Sequence, residues 1–288
     1  MNGLLPSRIL KYRYLFLAFL LVAVGVFVRI FRFGQVPAGF NQDEAFAAYE
    51  AMSLMRDGVD SAGYAFPTYF VSWGSGMNVL ESYLAIPFFW LFGVSETAFR
   101  LPQLILACIS LPVFYAVCKR LWSEKIALVG LGLLAISPWH IMLSRWGLES
   151  NLAPALLLLG FVFFLKGLEK GGFLLPAALF YGLSLYAYSI TWLTVPLMLI
   201  CFGSYALLAG KRPGLPWVLG ACSILALLAL PHILFLMIQQ GWISEIRTAF
   251  FSIPKMTAMR SGEIAISNLW STDSWKTYLS LLLFQPDR

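Results

Sequence analysis

GGFLLPAALFYGLSLYAYSITWLTVPLMLICFGSYALLAG, residues 171–210, runs for forty residues without a charge. As one helix it would be about 60 Å long, twice the roughly 30 Å hydrocarbon core of a bilayer. It must therefore fold as two spans, turning near Ser189-Ile190-Thr191-Trp192. Outward from it, further uncharged windows cover Tyr14–Val28, Leu101–Cys118, Ile126–Ser144, Ser150–Leu165 and Pro213–Ser244. The pattern predicts an all-α, polytopic membrane protein with about seven transmembrane helices. The shorter windows must borrow flanking residues such as Arg29 and Lys166, whose long stems can snorkel to the interface.

Composition agrees with that reading. Of 288 residues 60% are apolar and 12% charged, against about 25% charged in a soluble domain. A cytosolic enzyme, a disordered chain and a secreted disulfide scaffold are excluded. The net charge of +6 comes from basic residues scattered singly and in pairs. No Lys/Arg-rich run points to nucleic acid; membrane lipids are the expected anionic neighbours. Cys108, Cys118, Cys201 and Cys222 lie in or at the ends of apolar windows without metal-ligand spacing, and read as small packing residues.

The scattered charges set the topology. Arg8, Lys11 and Arg13 precede the first window, but no small-x-small cleavage site closes it, so it reads as an uncleaved span. With a cytoplasmic N-terminus, the inside segments carry those three, then Lys119, Arg120 and Lys125, then Lys166 and Lys170, then Lys211 and Arg212. The short outside turns carry only Arg145, a positive-inside pattern. Counting Asn78–Gly93 as a span would invert it, so that segment, with Glu81 and Pro87, is expected to be an amphipathic helix on the outer membrane surface. A transmembrane domain over residues 1–238 thus holds a long first extracytoplasmic loop, about 34–98, carrying surface helices. Residues 239–288 form an extracytoplasmic segment, and the unpunctuated end at Ser280–Arg288 suggests a truncated chain. The plasma membrane is the expected location.

Twelve of the fourteen acids then fall outside, all but Glu124 and Glu169. Seven lie in the first loop, opposed there only by Arg56. Such a loop suits a site handling hydroxyls, cations or amines, although Glu50, Asp57 and Glu96 read as solvated. Asp43 and Glu44 stand apart, in Gly39-Phe40-Asn41-Gln42-Asp43-Glu44-Ala45-Phe46 just after the first span. A carboxylate at a low-dielectric boundary suits a general base; capping of a helix from Ala45 by Asp43 is the plainer alternative. Arg100 and Arg145 lie at the outer ends of the second and third spans, where an Arg fork can grip a phosphate or snorkel to headgroups. His140, Glu149, Asn151 and Asp60 complete a candidate substrate cavity. His232, inside the last span, reads as a packed polar residue.

Three elements in order carry a resemblance: N-Q-D-E-A in the outer loop, L-F-G-V-S-E-T-A-F-R-L-P entering span two, and I-S-P-W-H-I-M-L-S-R-W-G-L-E-S-N closing span three. Over about Tyr14–Leu208 the chain resembles GT-C glycosyltransferases of the protein O-mannosyltransferase and aminoarabinose-transferase type, family 39. The resemblance implies transfer of a sugar from a polyprenyl-phosphate donor to a protein, lipid or glycan acceptor on the outer side of the membrane. Asp43 would be the catalytic base with Glu44 beside it, and Arg100, with Arg145, would hold the lipid phosphate. Where many relatives carry His-Pro-Pro-Leu, this chain has Gly74-Ser75-Gly76-Met77-Asn78-Val79-Leu80, which leaves the acceptor open. A single displacement by one base implies inversion. The arginines can supply the positive charge, so no cofactor is demanded; a divalent cation in the acidic loop stays open. The rival readings are a transport or lipid-handling protein without chemistry, or an inactive fragment. Transport predicts ionisable residues along a path through the bilayer, whereas residues 171–210 have none.

Overall fold

The structure, a computed structural model, describes residues 7–72 and 75–257. Ten α-helices dominate it: α1 Ser7–Ile30, α2 Gln42–Asp57, α3 Leu80–Phe92, α4 Glu96–Leu121, α5 Glu124–Ile136, α6 Pro138–Leu143, α7 Glu149–Gly167, α8 Leu174–Ser184, α9 Thr191–Leu208 and α10 Leu215–Gln239. Five stretches are long and apolar enough to cross a membrane: Tyr12–Ile30 of α1, α4, α7, α9 and α10. Their outward faces carry large apolar side chains such as Phe16, Phe19, Leu193 and Leu227. The other two predicted windows form shorter helices. Pro138, which has no N–H to donate, separates α5 from α6, and Ser137 caps the second piece.

Residues 171–210 divide where expected, between Ser184 and Thr191. Side chains there take up the carbonyls freed by the break. Thr191 Oγ1 donates to Ser184 O and Tyr188 O, both at 2.7 Å, and Trp192 Nε1 to Leu185 O at 2.8 Å. In the bundle α1 packs on α5 and α4, α4 on α7, α7 on α8, and α8 on α10, while α9 approaches its neighbours less closely.

The long first loop folds back onto one end of this bundle. α2 packs on α3 through Ala47, Ala48 and Ala51, small residues that permit close approach, and Phe70, Ile86, Phe89 and Phe99 fill the core beside them. A short antiparallel pair, β1 Phe70–Ser72 with β2 Ser75–Met77, sets Phe70 opposite Met77. A second pair, β3 Ile246–Arg247 with β4 Ser252–Ile253, follows α10. It docks on the loop through Thr68 N–H to Ser252 O, 3.0 Å, and on α10 through Met256 N–H to Gln239 Oε1, 2.8 Å. Most of the segment expected beyond α10, from residue 258 on, lies outside the described residues.

Two expectations change here. α3 exists, but its polarity is turned inward: Glu81 and Ser82 are buried against the protein while Trp90, Leu91 and Phe92 face out. Arg29 does not snorkel. It is fully buried, donating to Gly25 O, Leu134 O and Ala135 O at 2.7–3.1 Å and to His140 Nδ1. The carbonyls that end α5 at the proline break supply this arginine with acceptors, so turning inward satisfies it fully.

Candidate active site

Most of the residues singled out in the sequence gather at the end of the bundle where α1, α8 and α10 finish and α4, α7 and α9 begin. α2 starts one residue after Asn41. Its side chain accepts from the Glu44 N–H at 2.8 Å, and Glu44 Oε2 accepts in return from the Asn41 N–H at 3.3 Å. This reciprocal cap satisfies two donors of the first turn. It also corrects the capping role considered for Asp43, because Asn41 takes that role. Asp43, in the first turn of α2, is exposed, and no hydrogen bond or ion pair engages its carboxylate among the described residues.

Glu44 does the opposite. It is fully buried and takes a two-pronged bond from Arg100: Nε to Oε1 and Nη2 to Oε2, each 2.8 Å. Oε1 also accepts from the Gly147 N–H at 2.7 Å. Arg100 also donates from Nη2 to Gly39 O, 2.7 Å, and from Nη1 to Pro37 O, 3.0 Å, with Glu96 Oε2 4.0 Å from Nη1, and its guanidinium lies 5.4 Å from the centre of the Phe40 ring. Gly39 has φ +73°, a left-handed turn that lets the chain lie across the guanidinium. Arg100 thus ties residues 37–44 to the first turns of α4. Only 1% exposed and bonded on every side, it offers no free fork to a phosphate, which revises the role expected for it.

Arg145 is less committed. Its Nη2 donates to Val28 O at 2.5 Å and Phe31 O at 2.7 Å, closing the end of α1, and its Nη1 reaches Val36 O at 3.3 Å. Nε has no hydrogen-bond partner among the described residues, and the side chain is half-buried. Asn151 ties the same turn, its Nδ2 donating to Leu143 O and Trp146 O. Glu149 accepts from both the backbone and side-chain N–H groups of Asn78, joining the start of α7 to the entry of α3. His140 bridges Arg29 and Ser110 beneath this layer rather than opening toward it. Asp60 lies beyond the far end of α2, on the order of 24 Å from its start at 1.5 Å per residue. There its Oδ1 accepts from the N–H groups of Ala62 and Tyr64, and burial pushes its carboxyl above the usual range. Asp60 and His140 therefore do not join the others.

Two participants escaped the sequence reading. Glu81 is buried with neither oxygen hydrogen-bonded among the described residues. Burial first, and the nearby Glu44 carboxylate second, push it well above the ordinary value. Gly147 contributes only a backbone N–H, yet a Cβ there would come within 2.6 Å of the Phe99 ring and 3.2 Å of Glu81 Oε1. The sequence held a signal for the cap, since Asn41 and Glu44 have capping-box spacing. It held none for Gly147. Among the described residues no three His, Cys, Asp or Glu side chains are grouped as metal ligands.

The family model described as dolichyl-phosphate-mannose-protein mannosyltransferase matches residues 79–251. Among solved structures, ArnT from Cupriavidus metallidurans in the apo state superposes with TM-score 0.58 at 13% identity, over 77% of this chain and 42% of that one. The Archaeoglobus fulgidus oligosaccharyltransferase in the apo form gives 0.57 at 13% identity, over 96% and 40%. AglB from the same organism, in complex with an inhibitory peptide and a dolichol-phosphate, gives 0.53 at 17% identity, over 77% and 29%. The chain thus spans about two fifths of the first two. No curated protein sequence matches it.

Proposed function

This chain belongs to the dolichyl-phosphate-mannose-protein mannosyltransferase family, and we propose that it transfers a sugar from a polyprenyl-phosphate carrier to an acceptor hydroxyl at the outer membrane face. Asp43 takes the hydroxyl proton. The oxygen attacks the anomeric carbon, the bond from that carbon to the phosphate oxygen breaks, and polyprenyl phosphate leaves with the electron pair. One displacement inverts the anomeric centre. The transferase domain is residues 1–238, with an extracytoplasmic continuation from residue 239 and the N-terminus in the cytoplasm of a plasma-membrane protein.

One observation carries the reading. Two adjacent acids have opposite environments: Glu44 is locked by Arg100, Gly147 and the Asn41 cap, and Asp43 is left open on the same rigid turn. A base must be free to reach substrate yet fixed in place, and this arrangement meets both needs. Arg100 is then a positioning residue. Arg145, half-buried where Arg100 is fully buried, is assigned to the donor phosphate, where positive charge stabilises the departing group.

The test compares wild type with Asp43→Asn in vesicles supplied with polyprenyl-phosphate sugar. Loss of a general base lowers transfer by about 10²–10⁴. Undiminished transfer would remove Asp43 from the mechanism.

A further inference from the structure

α9 is held to the bundle at intervals rather than along its length. Phe202 stacks on Phe161 at 4.9 Å and Phe164 at 5.2 Å, and Val195 belongs to one buried cluster with Ala177, Tyr181 and Leu185. Beside these contacts an open slot remains. A cavity of about 520 Å³ separates α9 from α7, α8 and α10 and reaches Lys211 and Arg212. A second, of about 260 Å³, lies between α9 and α10 and reaches Trp192 and His232. Leu199 and Leu225 line both, so the two make one slot along α9, about 27 Å at 1.5 Å per residue.

Three features define what fits. The walls are almost wholly apolar, and Gly203 opens them further, since a Cβ there would meet nothing within 4 Å. Tyr181 lines the larger cavity, and its buried hydroxyl has no hydrogen-bond partner among the described residues. At the mouth Lys211 and Arg212 are exposed, and neither pairs with a carboxylate among the described residues. At the same end, by contrast, Lys119 is paired with Glu124 and Arg120 with Glu169. An apolar slot left empty would forfeit the dispersion contacts of its lining, and uncompensated cations between transmembrane helices suit an anionic headgroup.

We propose that this slot is a binding site for an anionic phospholipid, with the phosphate on Lys211 and Arg212 and one acyl chain between α9 and the α8–α10 pair. The mouth is at the end of the bundle remote from Asp43, so the site is separate from sugar transfer. The lipid wedges α9 against a bundle it otherwise touches sparsely.

Native mass spectrometry of the full chain, released from detergent micelles, tests this with phosphatidylglycerol, phosphatidylcholine of the same chains, and glycerol phosphate as the headgroup alone. Phosphatidylglycerol should stay bound where the other two do not. Lys211→Ala/Arg212→Ala should weaken it about 30-fold, the effect of removing two interfacial cations. Gly203→Leu should fill the slot and abolish retention with an unchanged melting temperature. Equal retention of the choline lipid would overturn the charge recognition. Equal competition by glycerol phosphate, or full retention by a folded Gly203→Leu, would overturn the chain site. The double-alanine variant alters only exposed positions, so wild-type affinity in it defeats the proposal even where Gly203→Leu fails to fold.

Discussion

Glu44 and Arg100 show what a buried pair does when one partner goes. Removing a single member leaves an uncompensated charge, which typically costs about 3–5 kcal/mol. Glu44→Ala should therefore destabilise the chain by that much in denaturant titration in micelles, whereas Asp43→Asn, on an exposed side chain, should change it by less than about 0.5 kcal/mol. Equal losses in the two variants would contradict the division of roles between neighbouring acids. Glu81 gives a prediction of opposite sign. The folded chain keeps a proton there that the unfolded chain releases above its ordinary value of 4.5. Folding therefore binds a proton, and stability falls as pH rises from about 4.5 toward the raised value. Glu81→Gln should unfold at a higher temperature than wild type at pH 8 and match it near pH 4; parallel pH profiles would refute this. The acids and arginines were legible in the sequence as charges at one membrane face. Which of them would be buried was not, because an arginine at a helix end snorkels or turns inward according to acceptors that come from distant segments, as Gly39, Glu44 and α5 carbonyls do here.

Elements were more legible than side chains. Uncharged length located each of the five long apolar helices, and the break in residues 171–210 fell where Ser189 and Thr191 interrupt the apolar run. The start of α2 was written in Asn41 and Glu44, and Asn41→Ala should cost about 1 kcal/mol by removing that cap. The same variant should lower transfer as well, because the cap holds the turn that presents Asp43; a stability loss with unchanged turnover would separate the two. α3 turns its polar side inward, opposite to the sequence expectation. An apolar helix with one acid looks like a surface helix in sequence, yet α2 and α4 cover its polar side, and no local pattern reveals that cover. Gly147 belongs to this scale too. Its substitution by Ala sets a methyl against Phe99, an overpacking that typically costs about 1–3 kcal/mol.

At the scale of the whole molecule, charge is sorted between two ends. Lys119, Arg120 and Lys125, Lys166 and Lys170, and Lys211 and Arg212 flank the ends of α4, α7 and α9 remote from Asp43. Glu124 and Glu169, the two acids read as inside, pair with two of those cations. The fold thus keeps together the basic set that the positive-inside rule assigns to the cytoplasm. The site end, with Asp43 and Arg145, is the opposite end of the bundle, which the proposed function sets outside. This orientation is testable with a single cysteine at either end, in a background where Cys108, Cys118, Cys201 and Cys222 are replaced. Ala38 and Ala209 are both exposed, one before α2 and one after α9. In intact cells a membrane-impermeant maleimide should label Ala38→Cys directly and Ala209→Cys only after permeabilisation. The reverse pattern would place Asp43 in the cytoplasm and overturn transfer at the outer face, leaving the fold as described. Labelling of both from outside would mean that an even number of crossings separates them. Between Ala38 and Ala209 the expected spans are α4, α5–α6, α7, α8 and α9, five in all. The two short helices, α5 and α8, decide that parity: if exactly one of them fails to cross, the count becomes even and the two cysteines share a side.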